Sequence, residues 1–160
     1  QLVRSMADEA ELACVLAHEV GHVSHKHALQ SIRRAKFFEG LGKIGTINMD
    51  SEEGQKYQAM IGDLQTVLFD KGLDKNMEFE ADQAGMDFAY RTGYDPRGMI
   101  RVLEMLQANK DSATFKGSWF STHPPLDERI EKCHEQLKKY PDATSMAIVK
   151  DRFLAYRDRF

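Results

Sequence analysis

The feature that most constrains this 160-residue chain is the run His18-Glu19-Val20-Gly21-His22, an HExxH pattern. It lies in an apolar segment, 12–23, that no proline interrupts, so a helix is predicted there. Because residues four apart share one face of a helix, the imidazoles of His18 and His22 can bind one metal ion. Glu19 follows one step round the helix, where its carboxylate can take a proton from metal-bound water. The pattern predicts zinc-assisted hydrolysis, usually of a peptide bond.

Gly21 stands inside this predicted helix, where glycine is unfavourable by about 1 kcal/mol relative to alanine. A small residue at this position would allow a second element to pack closely beside the metal. The alternative interpretation of the motif is a pair of hydrogen-bonded core histidines without a metal. We favour the metal site because the histidine spacing, the glutamate and the helical setting occur together.

A catalytic zinc site needs a third protein ligand and one open position. One common pattern places a histidine six residues after the second histidine and a glycine three residues after it. Those positions hold Ala28 and His25, so that pattern fails, and His25 is predicted to belong to a polar rim. In the other pattern a later helix supplies a glutamate. Glu78 and Asp82 fit it, since they share a helical face and one carboxylate can bind the metal while the other orients a ligand imidazole.

Three blocks of this sequence occur in the order found in a known family. They are Leu16-Ala17-His18-Glu19-Val20-Gly21-His22, Glu78-Phe79-Glu80-Ala81-Asp82 and Thr122-His123-Pro124-Pro125-Leu126-Asp127-Glu128-Arg129. Together they resemble the gluzincin metalloproteases, the family that includes HtpX, the CAAX prenyl protease and periplasmic BepA. The resemblance implies that His18, His22 and Glu78 bind zinc. It also implies that Glu19 is the general base and that Asp82 supports a ligand, His18.

The third block gives two further candidate catalytic residues, His123 and Arg129. A double proline, Pro124-Pro125, stiffens the loop that carries His123 and feeds a helix predicted over 126–139. In the family this block faces the metal. His123 would either donate a hydrogen bond to the oxyanion that develops during peptide attack or occupy the open metal position and keep the enzyme latent. Arg129 would stabilise the negative charge of the oxyanion. The structural alternative for His123 is that its side chain only caps the loop.

Composition limits the other functions. Net charge is −3, from 22 basic and 25 acidic residues, so no nucleic-acid partner is expected. The HExxH motif instead predicts a protein or peptide substrate. Two cysteines, Cys14 and Cys133, are too few for a disulfide framework, although a single bridge between them stays open. No run of 18 apolar residues occurs, so no transmembrane helix is predicted. We expect the strand pair that precedes the HExxH helix in the family to lie upstream of Gln1.

The organisation is predicted as one mainly α catalytic domain over residues 1–160, of the zincin type, with its edge β-strands upstream. The first helix should run from about residue 6 to about residue 38, with Ser5 or Asp8 as its cap. The segment 40–74 is predicted to be a lid or cleft insertion, with a simple connecting helix as the equal alternative. Further helices are predicted over the ranges 76–90 (ended near Gly93), 96–108, 126–139 and 145–158.

The predicted function is that of a zinc endopeptidase with one zinc ion per chain. Family resemblance alone places it in the periplasm or cell envelope of a bacterium, in protein quality control. Peripheral association with the membrane or with envelope proteins is compatible with this placement. The alternative is a latent, zinc-bound chaperone or assembly factor with little turnover.

Overall fold

In the computed structural model, the described residues are 2–45, 54–56, 59, 74–110 and 126–159, with 35, 38, 39, 41–45 and 74 described as backbone alone. Seven α-helices with defined bounds occur among these residues, together with one short 3-10 helix and no strand, and residues 54–56 and 59 are also helical. They are α1 (Leu2–Ser5), α2 (Glu9–Ser24), α3 (His27–Gly45), α4 (Asp74–Arg91), α5 (Arg97–Ala108), α6 (Leu126–Leu137), the 3-10 helix (Ala143–Ser145) and α7 (Lys150–Arg157). The predicted mainly α fold class is confirmed.

The chain divides into two compact units, Gln1–His25 with Glu78–Phe160, and Lys26–Met77. In the second unit, the hydroxyl of Ser31 on α3 donates to the sulfur of Met77 at 3.7 Å. The predicted lid, 40–74, lies mostly outside the described residues. Its role, and the prediction of a single catalytic domain, therefore stay predictions.

Helix α2 is capped by Asp8, one of the two predicted cap residues. The carboxylate of Asp8 accepts a hydrogen bond from the backbone N–H of Glu11 at 3.0 Å, and the carboxylate of Glu11 accepts one from the N–H of Ala7 at 2.8 Å. Arg101 on α5 donates to Asp8 at 2.9 Å and to Glu11 at 3.1 Å. These bonds anchor the start of the HExxH helix to its neighbour.

The prediction of one long helix from residue 6 to residue 38 is wrong. Helix α2 ends at Ser24 and α3 begins at His27, because Lys26 adopts a left-handed conformation with φ of 57°. The backbone N–H of His25 and its ring Nδ1 both donate to the carbonyl of Gly21, at 3.0 Å and 2.9 Å. These bonds satisfy a carbonyl that the end of the helix leaves free.

The core of the first unit is built round α5, which packs against α2 on one side and α6 on the other. Its buried side chains at Met99, Val102 and Leu103 alternate with polar residues at helical spacing, as an amphipathic helix requires. Two apolar clusters result. One contains Cys14, Met86, Ala89, Met99, Ile100, Leu103, Cys133, Tyr140 and Ala143, and the other contains Met6, Val15, Val102, Leu106 and Phe153.

Helix α4 is terminated by a glycine, as predicted. Gly93 adopts φ of 93°, and the backbone N–H of Tyr94 donates to the carbonyl of Ala89 at 2.9 Å, which forms a Schellman turn. Tyr94 then forms an isolated parallel β-bridge with Ala147. This pairing occupies the segment predicted as the start of the last helix, so α7 begins at Lys150 rather than at residue 145.

Candidate metal centre

Helices α2, α4 and α6 bring described polar residues from each of the three sequence blocks together in the first unit. His18 on α2 is completely buried, Glu78 and Asp82 on α4 are 5% and 2% exposed, and Arg129 on α6 is completely buried. His22, one turn after His18, is half-buried. Such a concentration of buried polar groups is stable only if they pair with each other or with a bound ion.

Two glycines allow α2 and α4 to approach closely at this point. A Cβ at Gly21 would lie 3.1 Å from the Cα of Ala81, and a Cβ at Gly85 would lie 3.0 Å from the backbone nitrogen of His18. Both distances are shorter than ordinary van der Waals contact. The backbones are therefore in near-direct contact beside the histidines, which agrees with the packing expected for Gly21.

The His18 imidazole is oriented by Asp82. Its Nδ1 lies 2.8 Å from the Oδ1 of Asp82, and because a carboxylate accepts, Nδ1 carries the proton and donates. Burial acts to raise the pKa of Asp82, but hydrogen bonds from Arg129 and His18 outweigh burial and hold that pKa below its usual value. Asp82 is thus ionised and binds the Nδ1 of His18, so the other ring nitrogen, Nε2, faces His22 and Glu78.

Three donor groups converge on one point. The Nε2 atoms of His18 and His22 lie 3.0 Å apart. The Oε1 of Glu78 lies 3.2 Å from the Nε2 of His22, and the Oε2 of Glu78 lies 3.7 Å from the Nε2 of His18. Zinc bonds of about 2.0–2.1 Å in a tetrahedron separate ligand atoms by about 3.3 Å. Two imidazoles and a carboxylate also form a donor set that suits zinc. The residues therefore fit a zinc ion in composition and in spacing.

Arg129 lies against both carboxylates of α4. Its Nε and Nη2 donate to the two oxygens of Asp82 at 2.7 Å and 2.8 Å, and its Nη1 lies 2.8 Å from the Oε2 of Glu78. Burial acts to lower the pKa of the Arg129 guanidinium, while Asp82 and Glu78 act to raise it, and the net pKa is above its usual value. Arg129 therefore stays charged inside the protein.

The structure gives less information on the other candidate residues named from the sequence. Glu19 is half-buried on α2, directly after His18. His123 lies outside the described residues, so its two alternative roles stay predictions. His25, predicted not to be a permanent ligand, uses its ring Nδ1 to cap the end of α2. Cys14 and Cys133 are free and buried, so the bridge left open by the sequence is absent.

Sequence reasoning missed one residue of this site, Gly85, and one set of contacts, those of Arg129 with the two acids. Gly85 lies seven residues after Glu78 and three after Asp82, and so shares their helical face. That spacing was the available signal that α4 presents a small residue to a neighbouring backbone. The pairing of Arg129 with both acids had no such signal, because 47 residues separate Arg129 from Asp82.

A mainly helical fold in which an HExxH helix meets a glutamate from a later helix defines a metalloprotease of the gluzincin type. Comparison with known proteins identifies the family more closely. This chain belongs to Peptidase family M48, whose sequence profile matches residues 1–137. No solved structure matches the chain significantly.

Curated proteins similar to this chain are named proteases. The beta-barrel assembly-enhancing protease of Yersinia pestis is 29% identical over 155 residues, covering 90% of this chain and 31% of that protein. The mitochondrial metalloendopeptidase OMA1 of Arabidopsis thaliana is 32% identical over 132 residues, covering 80% of this chain and 24% of that protein. The metalloprotease YcaL of Escherichia coli is 24% identical over 132 residues, covering 82% of this chain and 51% of that protein. The chain thus spans 24% to 51% of the length of these relatives.

Among the described residues, no helix combines the length and the apolar character needed to cross a membrane.

Proposed function

We propose that this chain is the catalytic part of a zinc-dependent endopeptidase, with one zinc ion bound by His18, His22 and Glu78. The observation that supports it most directly is the convergence of three donor atoms, one from each residue, within 4.8 Å of one another. Membership of a peptidase family and the named activities of the relatives support the same assignment.

The chemistry divides between the metal and the side chains. Zinc, when bound, supplies a Lewis acid that polarises a carbonyl and lowers the pKa of bound water to about 7. Glu19 accepts the proton of the attacking water and passes it to the leaving amine. Asp82 accepts the hydrogen bond from the Nδ1–H of His18, which keeps the Nε2 lone pair directed at the metal position.

His123 completes the proposal in one of two ways. As a hydrogen-bond donor to the oxyanion it would contribute about 3–4 kcal/mol to the stabilisation of the transition state. As a ligand in the open metal position it would hold the enzyme latent. His123→Ala separates the two, because loss of the donor lowers the rate of peptide cleavage whereas release of the latch raises it. Unchanged rates would remove His123 from both roles.

The proposed substrates are unfolded or misassembled proteins of a bacterial cell envelope. The name of the Yersinia pestis relative associates that protein with the assembly of β-barrels, while the Arabidopsis thaliana relative is named as mitochondrial. We therefore propose the periplasm or cell envelope as the location and membrane or envelope proteins as peripheral partners.

The decisive experiment compares wild type with Glu19→Gln in degradation of casein, with zinc content measured on the same samples. Loss of the general base should lower the cleavage rate by about 10²–10⁴-fold and leave zinc content near one per chain. Glu135→Gln, which changes an exposed acid on α6, is the matched control and should keep both properties. Equal, metal-independent rates for wild type and Glu19→Gln would contradict the proposal. Zinc binding without cleavage would favour the latent chaperone or assembly factor.

A further inference from the structure

Glu78 and Asp82 form an unusual pair, two buried carboxylates four residues apart on one helical face. Like charges at this spacing repel, and burial removes the water that would otherwise screen them. Both oxygens of Asp82 already accept hydrogen bonds, one of them from His18. Two buried carboxylates this close together need a hydrogen-bonding partner for both that is itself part of the fold.

Arg129 meets this requirement by its geometry as well as by its charge. Its planar guanidinium binds Asp82 through two parallel N–H donors and reaches Glu78 with the third nitrogen. The side chain has no exposed surface, so it does not face a substrate. Arg129 lies near the start of α6. Its contacts therefore connect a third helix to the two acids of α4.

We infer that Arg129 is a positioning residue that holds Glu78 and Asp82 in their metal-binding arrangement before any metal enters. Through Asp82 its influence extends to His18, so one guanidinium orients ligands on both α2 and α4. The ligand side chains are then already in position when the metal binds, so metal binding does not have to bring them together. The inference rests on the proposed function in one respect, namely that Glu78 is a metal ligand.

The first test measures metal binding of Arg129→Met and Arg129→Lys. Methionine keeps an apolar stem of similar length without the charge, and lysine keeps the charge without the planar fork. The control is Gln136→Met, which removes another buried polar group from α6, one that donates to the hydroxyl of Tyr140 at 2.8 Å. Zinc is titrated against a competing chelator, and cobalt(II) is titrated by its visible absorption, which reports the geometry of the ligands.

For Arg129→Met we expect a zinc dissociation constant 10–100-fold larger than that of wild type, with an altered cobalt spectrum. Arg129→Lys should recover part of the affinity, and Gln136→Met should match wild type in both measurements even if it unfolds more easily. A role limited to packing would alter stability in all three variants without changing the cobalt spectrum. Wild-type affinity and an unchanged spectrum for Arg129→Met would overturn the inference.

The second test uses metal-free protein and so remains decisive even if zinc does not bind. In urea unfolding, Arg129→Met should lower the midpoint because two buried carboxylates lose their cation. Adding Glu78→Gln and Asp82→Asn to the same chain removes the uncompensated charges and should restore most of the loss. If wild type bound no zinc, the proposed function would fail, while restoration would still support the role of Arg129. A loss that persists in the triple variant would overturn that role.

Discussion

Replacing Gly21 by alanine tests whether the close approach of α2 and α4 is what assembles the metal centre. The added Cβ would lie 3.1 Å from the Cα of Ala81, 3.2 Å from its carbonyl oxygen and 3.2 Å from the Cβ of Ala84. None of these atoms is the end of a flexible side chain. The two helices must therefore separate by a few tenths of an ångström to accommodate the methyl group.

Two energetic terms oppose each other in Gly21→Ala. Alanine favours the helix by about 1 kcal/mol relative to glycine, while overpacking a tight contact costs about 1–3 kcal/mol. We expect a net loss of up to about 2 kcal/mol in the free energy of unfolding, or up to about 8 °C in melting temperature. Zinc affinity should also fall, because His18 and His22 move with α2 while Glu78 moves with α4. Metal sites tolerate only about 0.5 Å of such displacement.

Gly40→Ala is the matched control. Gly40 lies in α3, and no atom of the part of the chain that the structure describes stands within 4 Å of the position of an added Cβ. The same substitution should therefore stabilise by about 0.5–1 kcal/mol and leave zinc affinity unchanged. The assay is thermal unfolding of the metal-free variants, followed by zinc titration against a chelator. If Gly21→Ala proved as stable as Gly40→Ala and bound zinc as tightly as wild type, the close-packing argument would be refuted.

Two further predictions concern buried titratable groups. Burial raises the pKa of the Cys14 thiol to about 12, so iodoacetamide at pH 8 should label Cys14 only after unfolding; rapid labelling of the folded protein would count against the observed core. The pKa of Asp82 lies below its unfolded value of about 3.9, so its contribution to stability is present above that pH and lost as the pH falls through the folded-state pKa. Metal-free wild type should thus lose stability more steeply below about pH 4 than Asp82→Asn does, and equal slopes would contradict this assignment.

Local features of the fold could be predicted because their causes are local. The cap at Asp8 and the end of α4 at Gly93 depend on residues within one or two turns, and both are confirmed. The break at Lys26 could not be predicted in this way. Apolar residues keep helical spacing on both sides of it, and nothing in a lysine side chain indicates a left-handed backbone conformation.

For the candidate site, the HExxH spacing determined that His18 and His22 share a helical face, since helical periodicity alone places residues four apart together. The later acids were predictable as a pair on their own helix for the same reason. What only the tertiary structure decided is that α4 reaches α2 through Gly21 and Gly85, and that Arg129 lies between the two acids. These contacts join residues far apart in the chain, so they depend on how the helices pack and not on the period of any one helix.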